Sequence, residues 1–303
     1  MTHYYSLNDY CRQTFGYKLY KLSLDGGMTC PNRDGKIGTG GCIFCSEDGS
    51  GEFAECLCSD ITQQIENAKK RVEHKNKGGK YIAYFQSFTN TYAPVSYLEK
   101  IFTEAIKHPD IEVLAVATRP DCLGDDVLSL LEKLNSIKPV WVELGFQTSN
   151  EKSALYIGRG YDNSVFEKAV KDLSSIGIKT VAHIILGLPD ETYEDMKNSV
   201  KFVCGNGIWG IKIHLLHVLR GAGLASEYEK GRFSCMEEDE YLGCVCRLLK
   251  IIPSGVVIHR LTGDGDKRKL IAPMWSANKK EVLNSLAKML RDEKIVQGSE
   301  CDY

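Results

Sequence analysis

Residues 140–147 read VWVELGFQ, residues 179–186 read KTVAHIIL, and one amphipathic stretch separates these two apolar runs. Five apolar residues recur at helical spacing in that stretch: Val165, Phe166, Ala169, Val170 and Leu173. Apolar runs without alternation are typical of parallel strands that are covered on both faces. Two such strands joined through one helix form a right-handed crossover unit. This unit predicts a parallel α/β sheet.

The same strand–helix unit recurs on both sides of this stretch. The six predicted strands are Tyr17–Leu24, Lys80–Gln86, Ile111–Thr118, Val140–Gln147, Lys179–Leu186 and Gly210–His217. Further helical spacing occurs in residues 98–106 and 127–134. Six consecutive repeats predict a parallel sheet that is either doubly wound or curled into a barrel.

The repeat ends after His217. The rest of the chain is predicted to contain a loop (219–231), a helix (241–252), a short strand (255–260) and a last helix whose apolar pattern covers residues 282–290. We therefore divide the chain into an N-terminal segment (1–16), a barrel (17–218) and a C-terminal extension (219–303).

The composition fits one large globular chain. Its 303 residues are 43% hydrophobic, which supports a substantial core, and the formal net charge is −2. A near-neutral chain has no general attraction for nucleic acid, so such a partner would need a local basic patch. The sequence shows neither a signal-peptide pattern nor an apolar run of membrane-spanning length. We therefore expect a cytoplasmic protein without membrane association, whose twelve cysteines are metal ligands or buried thiols.

A long glycine-rich loop, residues 25–51, separates the first two predicted strands. It carries Cys30, Cys42 and Cys45 in the spacing C-x11-C-x2-C, on the side of an α/β sheet where active sites lie. Three thiolates suit an iron–sulfur cluster and leave one iron with an open site. Two alternatives stay open at this point: structural zinc, completed by Cys56 or Cys58, and cysteines without a shared role.

Several stretches resemble one known family. They are YKLSLDGGMTCPNRDG (20–35), GGCIFC (40–45), YFQSFTNTYAP (84–94), ATRPDCL (117–123), VELGFQT (142–148), HRLTGDG (259–265) and IAPMWS (271–276). The chain resembles radical S-adenosylmethionine (SAM) proteins of the subgroup akin to the elongator catalytic subunit, and within it the YtqA/YhcC family. The resemblance implies an α/β fold, a partial (β/α)6 TIM-type barrel with a C-terminal α/β extension over its opening. It also implies a [4Fe–4S] cluster on Cys30, Cys42 and Cys45, with SAM on the open iron.

The resemblance assigns SAM contacts to residues near the ends of several strands. They are Phe44, Thr89, Asn90, Glu143, Gln147, Arg159, Ile185, Gly187 and Leu188. Phe44 and Ile185 would lie near the adenine, and the backbone around Leu188 would bind its edge. Gln147 would hold the ribose, and Arg159 would pair with the SAM carboxylate. Thr89 stands where many relatives have a glycine-rich run that binds the SAM ammonium, and His183 replaces the first glycine of the family's adenine motif.

Candidates for the substrate side lie at the same ends of the strands. Lys212 and His214 share a strand face, and His217 falls on the other face unless the strand bends. Arg119 closes the third strand together with Asp121, and an ordinary salt bridge at the rim is an equal interpretation of that pair. Residues 259–264 and 271–276 would bind a nucleotide or cap the barrel. The basic run of residues 69–80 is interpreted as a solvated helix end rather than as a phosphate site.

The resemblance implies a radical SAM enzyme that cleaves SAM reductively to a 5′-deoxyadenosyl radical. It also implies a tRNA substrate, at the C5 substituent of the wobble uridine in the pathway to 5-methylaminomethyl-2-thiouridine, and an electron donor such as flavodoxin or ferredoxin. Because the acetyltransferase domain of the elongator-like relatives is absent, we expect remodelling of an existing C5 substituent such as carboxymethylaminomethyl. Two alternatives stay open: a radical SAM enzyme for a small metabolite or peptide, and a zinc-stabilised binding module without catalysis.

Overall fold

A sheet of seven parallel strands is the centre of the structure, a computed structural model that describes residues 3–47, 49, 60–76, 79–263 and 265–302. The strands are β1 (Tyr20–Leu24), β2 (Tyr81–Phe85), β3 (Ile111–Thr118), β4 (Val140–Gln147), β5 (Lys179–Leu186), β6 (Gly210–Leu215) and β8 (Val257–Arg260), paired in that order. Two short antiparallel strands, β7 (Val218–Leu219) and β9 (Leu270–Ala272), form a separate pair. The sheet is curled into an open barrel, since no pairing joins β1 to β8 within the described residues.

The described part of the chain has ten α-helices. They are α1 (Leu7–Phe15), α2 (Ile61–Val72), α3 (Val95–Lys107), α4 (Asp125–Asn135), α5 (Glu151–Tyr156), α6 (Asn163–Ser175), α7 (Tyr193–Gly205), α8 (Gly223–Glu229), α9 (Glu238–Ile251) and α10 (Lys279–Asp292). Short 3-10 helices lie at Glu73–Lys75, Pro120–Cys122 and Met274–Ala277. Helices α2, α3, α4, α6, α7, α9 and α10 share one apolar core with the sheet.

Alternation along the strands gives the sheet an apolar outer face. In β4, Val142, Leu144 and Phe146 are buried in the core shared with the helices. Phe146 stacks on Phe202 of α7 with their ring centroids 5.1 Å apart. Burying one such side chain stabilises the fold by about 1.5–3 kcal/mol. The alternate residues of β4, among them Glu143, therefore point to the inside of the barrel.

Aromatic side chains close the inside of the barrel at the amino-terminal ends of the strands. The ring centroid of Trp209 lies 4.7 Å from that of Trp141 in β4 and 4.7 Å from that of Tyr10 in α1. Helix α1 begins at a capping box, in which the side chains of Ser6 and Asp9 each accept a hydrogen bond from the other's backbone N–H. With this end plugged, the interior of the barrel opens at the carboxyl ends of the strands.

The predicted α/β barrel is confirmed, with differences in its elements. The sheet has a seventh strand, because residues 257–260, predicted as a strand of the extension, pair with β6. Strand β1 begins at Tyr20, and β6 ends at Leu215 rather than His217. Residues 219–231, predicted as a loop, contain helix α8, which is too short for helical spacing to be evident in the sequence. The division into N-terminal segment, barrel and extension stays a prediction.

Candidate functional site

A cavity of about 270 Å³ opens at the carboxyl ends of the strands. Cys30, Cys42 and Cys45 line one wall of it, and the end of β6 with the residues that follow lines another. Strands β2, β4 and β6 contribute inward side chains below these walls. The cavity therefore combines thiols near its mouth with charged groups in its depth.

The thiol wall, defined as Cys30, Cys42 and Cys45, is carried by a loop that folds on itself. The N–H of Arg33 donates to Cys30 O at 2.8 Å, and the N–H of Cys45 donates to Cys42 O at 2.9 Å. The Arg33 guanidinium crosses the loop and donates to Ser46 O. Gly41 has a φ of 75°, and a Cβ there would lie 2.8 Å from Arg33 Nε, so the loop requires glycine at this position.

Long-range contacts hold the thiol wall against the barrel. Asn32 Nδ2 donates to Gly158 O at 2.5 Å and lies 3.4 Å from Cys42 Sγ. The N–H of Ile43 donates to Ile157 O at 3.0 Å. Residues 157 and 158 follow α5, far along the chain. The position of the thiols therefore depends on the assembled barrel as well as on their own loop.

The electrostatics of the thiol wall favour a thiolate. A hydrogen bond from the Cys45 thiol lowers the pKa of Cys42 to about 7 against the opposing effect of burial, and the charges of Arg119 and Arg33 act in the same direction. The same hydrogen bond and burial raise the pKa of Cys45. Thiolates are the ligands of iron–sulfur clusters, and N–H donors near the sulfur atoms tune such sites. Three thiols beside two guanidinium groups therefore fit a [4Fe–4S] cluster.

The zinc alternative requires a fourth ligand. Cys56 and Cys58, predicted to complete such a site, lie outside the described residues. Among the residues that the structure describes, no fourth cysteine lines the cavity. The described geometry thus shows a three-thiol site.

The charged floor is a buried ion cluster centred on one carboxylate. It consists of Lys21, Tyr84, Glu143, His183 and Lys212, from β1, β2, β4, β5 and β6. Glu143 is fully buried and accepts hydrogen bonds from Lys21 Nζ at 2.6 Å and from Lys212 Nζ. His183 Nε2 lies 2.8 Å from the same carboxylate, and Lys212 Nζ donates to Tyr84 OH at 3.0 Å. Five strands therefore meet at Glu143.

Burial and the two lysines have opposite effects on the pKa of Glu143. Burial alone would raise the pKa of this carboxyl, but the charges of Lys21 and Lys212 outweigh it and hold the pKa well below its usual range. Burial lowers the pKa of His183 to about 4 and that of Lys212 well below its usual range. At neutral pH the floor therefore holds an ionised carboxylate next to a neutral imidazole.

Arg119 presents a guanidinium to the cavity beside the thiol wall. It donates to Asp121 through Nε at 2.9 Å and through Nη2 at 2.8 Å, and it lies 5.1 Å from the ring centre of Tyr161. The Tyr161 hydroxyl donates to Gly145 O. The predicted salt bridge at the rim is thus present, and the guanidinium that it orients also lines the cavity.

Arg159 contacts the same tyrosine and does not line the cavity. Its side chain is 1% exposed, and its guanidinium donates to Thr148 O at 2.7 Å and to Tyr161 O at 2.8 Å. It also binds Glu151 and Asn163. Its donors are thus bound to groups between β4 and the start of α6, and the pairing of Arg159 with a SAM carboxylate stays a prediction.

Five other predicted SAM contacts line the cavity: Phe44, Thr89, Glu143, Gln147 and Ile185. Gln147 has a φ of 68°, and its side chain folds over Gly145, where a Cβ would lie 2.8 Å from the side-chain amide. Glu143 lies deeper than the others, among the lysines of the charged floor. The roles of these residues toward SAM stay predictions.

Three predicted SAM contacts lie behind the cavity lining. Asn90 is fully buried and donates from Nδ2 to Ala117 O at 2.9 Å, so it ties the segment after β2 to β3. Leu188 packs in a small apolar cluster with Leu216, and Gly187 has a φ of 79° in the turn after β5. Asn90 therefore has a structural contact, while the predicted backbone contact near Leu188 stays a prediction.

The four substrate-side candidates all line the cavity: Arg119, Lys212, His214 and His217. His217 lines the cavity as well, because β6 ends at Leu215 and the alternation that would place His217 on the opposite face of a continuous strand no longer applies. His217 Nε2 lies 3.1 Å from Ser276 Oγ. The segment 271–276 thus approaches the cavity from its open side.

Two lysines of the basic run of residues 69–80, Lys69 and Lys80, form ion pairs with Asp110. Lys69 Nζ lies 2.6 Å from an Asp110 oxygen and 2.8 Å from a Glu66 oxygen. Lys77 lies outside the described residues. The ion pairs support the interpretation of this run as a helix end.

Sequence reasoning missed several residues of the cavity. They are Arg33, Tyr84, Phe88 and Tyr161, whereas Arg260 lies in the predicted segment 259–264. Tyr84 has the inward parity of β2, which strand alternation alone could have shown. Arg33 and Tyr161 lie in loops, where the sequence has no periodic signal, and His183 was noted only as a departure from a glycine motif.

Comparison with known proteins finds similar sequences along the whole chain. A profile described as Radical SAM superfamily matches residues 34–203, and one described as Radical_SAM C-terminal domain matches residues 208–292. YtqA of Bacillus subtilis is 46% identical over 295 residues, which cover 97% of this chain and 92% of that protein. YhcC of Escherichia coli K12 is 36% identical over 94% of this chain and 91% of that protein. A tRNA uridine(34) acetyltransferase of Methanocaldococcus jannaschii is 27% identical over 50% of this chain and 28% of that protein.

Solved structures share the fold. The Methanocaldococcus infernus Elp3 with an N-terminal deletion matches with a TM-score of 0.70 at 16% identity, over 92% of this chain and 64% of that chain. Streptococcus suis SuiB bound to SAM matches with a TM-score of 0.52 at 13% identity, over 90% and 56%. This chain therefore spans less than two thirds of either solved chain. No helix within its described ranges is both long and apolar enough to cross a membrane.

Proposed function

Because the chain belongs to the radical SAM superfamily, and within it to the YtqA/YhcC family, we propose that Cys30, Cys42 and Cys45 hold the [4Fe–4S] cluster that this superfamily uses with SAM. The thiol wall carries the proposal, since three thiols line one cavity beside Arg33 and Arg119. When bound, the cluster supplies the electron that cleaves SAM to a 5′-deoxyadenosyl radical, which abstracts hydrogen from the substrate.

Arg119 takes the role that the sequence assigned to Arg159 and binds the SAM carboxylate. Asp121 orients its guanidinium through two hydrogen bonds, and its remaining N–H groups are left for a ligand. Thr89 and Gln147 provide polar groups for the ammonium and the ribose. Phe44 and Ile185 provide apolar surface for the adenine.

The barrel below the cavity protects the reaction from water. The charged floor fills the interior at the level of Glu143, and the plug of Tyr10, Trp141 and Trp209 closes the far end. A radical that abstracts hydrogen from an unreactive carbon needs such a closed site, since water and oxidants would divert it.

Anaerobic reconstitution with iron and sulfide tests this chemistry. We expect about four irons per chain and formation of 5′-deoxyadenosine from SAM and a reductant. The variant Cys42→Ala should lose both, whereas Cys235→Ala, a half-buried cysteine outside the cavity, should keep both. Binding of one zinc, without iron or 5′-deoxyadenosine, would contradict the proposal.

The proposed substrate is tRNA, modified at the C5 substituent of the wobble uridine, and the proposed electron donor is a flavodoxin or ferredoxin. The support comes from relatives: the tRNA uridine(34) acetyltransferase is similar over half of this chain, and Elp3 shares its fold. The reaction would change an existing substituent, such as carboxymethylaminomethyl, by abstracting a hydrogen from it.

Mass spectrometry of tRNA nucleosides from a deletion strain tests the substrate. We expect loss of one modified wobble uridine and accumulation of its precursor. The wild-type gene should restore the modification and the Cys42→Ala gene should not. Unchanged wobble uridines, together with 5′-deoxyadenosine formation in vitro, would instead favour a small metabolite or a peptide as substrate.

A further inference from the structure

Arg260 is a cation of the cavity without a partner among the described residues. It ends β8, the edge of the sheet opposite to β1, which leads into the thiol wall. Arg33 and Arg119 also line the cavity, but Arg33 donates to Ser46 O and Arg119 pairs with Asp121. The guanidinium of Arg260 is thus available to a ligand at the side of the cavity where β8 ends.

The surroundings of Arg260 contain more basic than acidic groups. Glu143 is the one carboxylate of the charged floor, and it already binds both Lys21 and Lys212. The positive charge of Arg260 acts on Lys212 and adds to the burial that lowers the pKa of that lysine. A half-buried cation among other cations is unfavourable unless an anion joins it. This end of the cavity therefore favours an acidic ligand.

His214 supplies a second and independent observation. Its ring lines the cavity, and its buried Nε2 has no hydrogen-bond partner within the described residues. Burial and the charge of Arg260 lower the pKa of this imidazole well below its usual range, so the ring is neutral at neutral pH. A neutral imidazole offers one N–H to a ligand without adding charge.

We propose that Arg260, together with His214 and Lys212, binds a carboxylate of the substrate. A guanidinium pairs with a carboxylate through two parallel hydrogen bonds, and the neutral imidazole of His214 adds one donor without adding charge. This inference rests on the proposed function, because it gives the substrate the part of the cavity that SAM leaves free. The proposed function assigns the carboxylate of SAM to Arg119, beside the thiol wall.

Titration of the reconstituted protein with sodium acetate, against sodium chloride at equal ionic strength, tests the site without any turnover. We expect acetate to raise the melting temperature of the SAM-loaded wild type. Arg260→Met should weaken acetate binding about tenfold or more, and Arg260→Lys, which keeps the charge, should weaken it less. Arg291→Met, at an exposed position in the last turn of α10, is the matched control and should have no effect.

Several outcomes would overturn the proposal. One is that acetate raises the melting temperature of Arg260→Met as much as that of the wild type. Another is that inorganic phosphate binds more tightly than acetate. A third is that the KM for SAM rises in Arg260→Met together with the loss of acetate binding. Asp264 lies outside the described residues and close to Arg260 in sequence, so Asp264→Asn is included. Acetate binding that appears only in Asp264→Asn would show that Arg260 is already neutralised, and would also overturn it.

An assay of 5′-deoxyadenosine formation with and without tRNA distinguishes a failure of this inference from a failure of the proposed function. In Arg260→Met, tRNA from the deletion strain should stimulate 5′-deoxyadenosine formation at least about tenfold less than in the wild type, with each protein compared with itself in the absence of tRNA. If the wild type forms no 5′-deoxyadenosine, the proposed function fails, whatever the acetate titration shows. If tRNA stimulates Arg260→Met as it stimulates the wild type, the carboxylate site fails and the proposed function stands.

Discussion

The thiol wall and the charged floor face the same cavity but are built in different ways. The wall comes from one loop, and backbone hydrogen bonds and the Arg33 side chain give that loop its shape. The floor consists of buried and half-buried side chains from five strands that meet at Glu143. A change in the wall should therefore remove chemistry at little cost in stability, whereas a change in the floor should destabilise the whole barrel.

Removing one thiol should produce the largest effect on activity. We expect Cys42→Ala to abolish 5′-deoxyadenosine formation, because a cluster needs all three thiolates, while the free energy of unfolding of the apoprotein changes by no more than about 1 kcal/mol. Iron analysis and urea denaturation measure the two quantities. If Cys42→Ala lowered the free energy of unfolding as much as a variant of the charged floor does, the proposed difference in stability between the two regions would be contradicted.

Removing the central carboxylate should produce the largest effect on stability. We expect Glu143→Gln to lower the free energy of unfolding by about 3–5 kcal/mol, because the buried Lys212 and the half-buried Lys21 would remain without their anion. Urea denaturation measures it, with Glu167→Gln on the exposed side of α6 as the control. A change below about 1 kcal/mol would show that the floor tolerates its cations without Glu143.

The two arginines that contact Tyr161 should separate structure from binding. Arg159→Met should lower the free energy of unfolding by about 1–3 kcal/mol, because the carbonyl oxygens of residues 148 and 161 lose their donor, with the KM for SAM unchanged. Arg119→Met should instead raise the KM for SAM about tenfold with little loss of stability. If Arg159→Met instead raised the KM for SAM and Arg119→Met left it unchanged, Arg159 would be the residue that binds the SAM carboxylate.

Glu191 tests the argument that burial raises the pKa of a carboxyl group when no neighbouring cation opposes it. Burial decides the direction of its pKa shift, whereas at Glu143 the lysines outweigh burial. Burial raises its pKa to about 7 from the ordinary 4.5, so the folded protein holds a proton that the unfolded chain releases. Its contribution to stability is complete below about pH 4.5 and is lost as the pH rises to about 7. We expect Glu191→Gln to flatten this part of the pH–stability curve, and the exposed Glu240→Gln to leave it unchanged. An unaltered slope in Glu191→Gln would contradict the argument, and this is the smallest of the predicted effects.

Much of the fold could be predicted from the sequence because its signals are local. Long apolar runs in β3, β4 and β5 have the predicted bounds, since most residues of these strands are buried on one face or the other. The short strands β1 and β2 were predicted too long, and α8 was missed, because a few residues show no clear period. The spacing of Cys30, Cys42 and Cys45 likewise indicated one site, since a single loop carries all three.

Only the tertiary structure decided which polar groups reach the cavity. The sequence assigned Arg159 to the SAM carboxylate and Arg119 to the substrate side. In the structure both contact Tyr161, but Arg119 lines the cavity and Arg159 is buried behind it. The sequence likewise contained no sign that Lys21, His183 and Lys212 share the Glu143 carboxylate, because these residues are far apart along the chain. Local sequence determines where strands and loops form, but a cluster of charges forms only when the curled sheet brings the inward faces of its strands together.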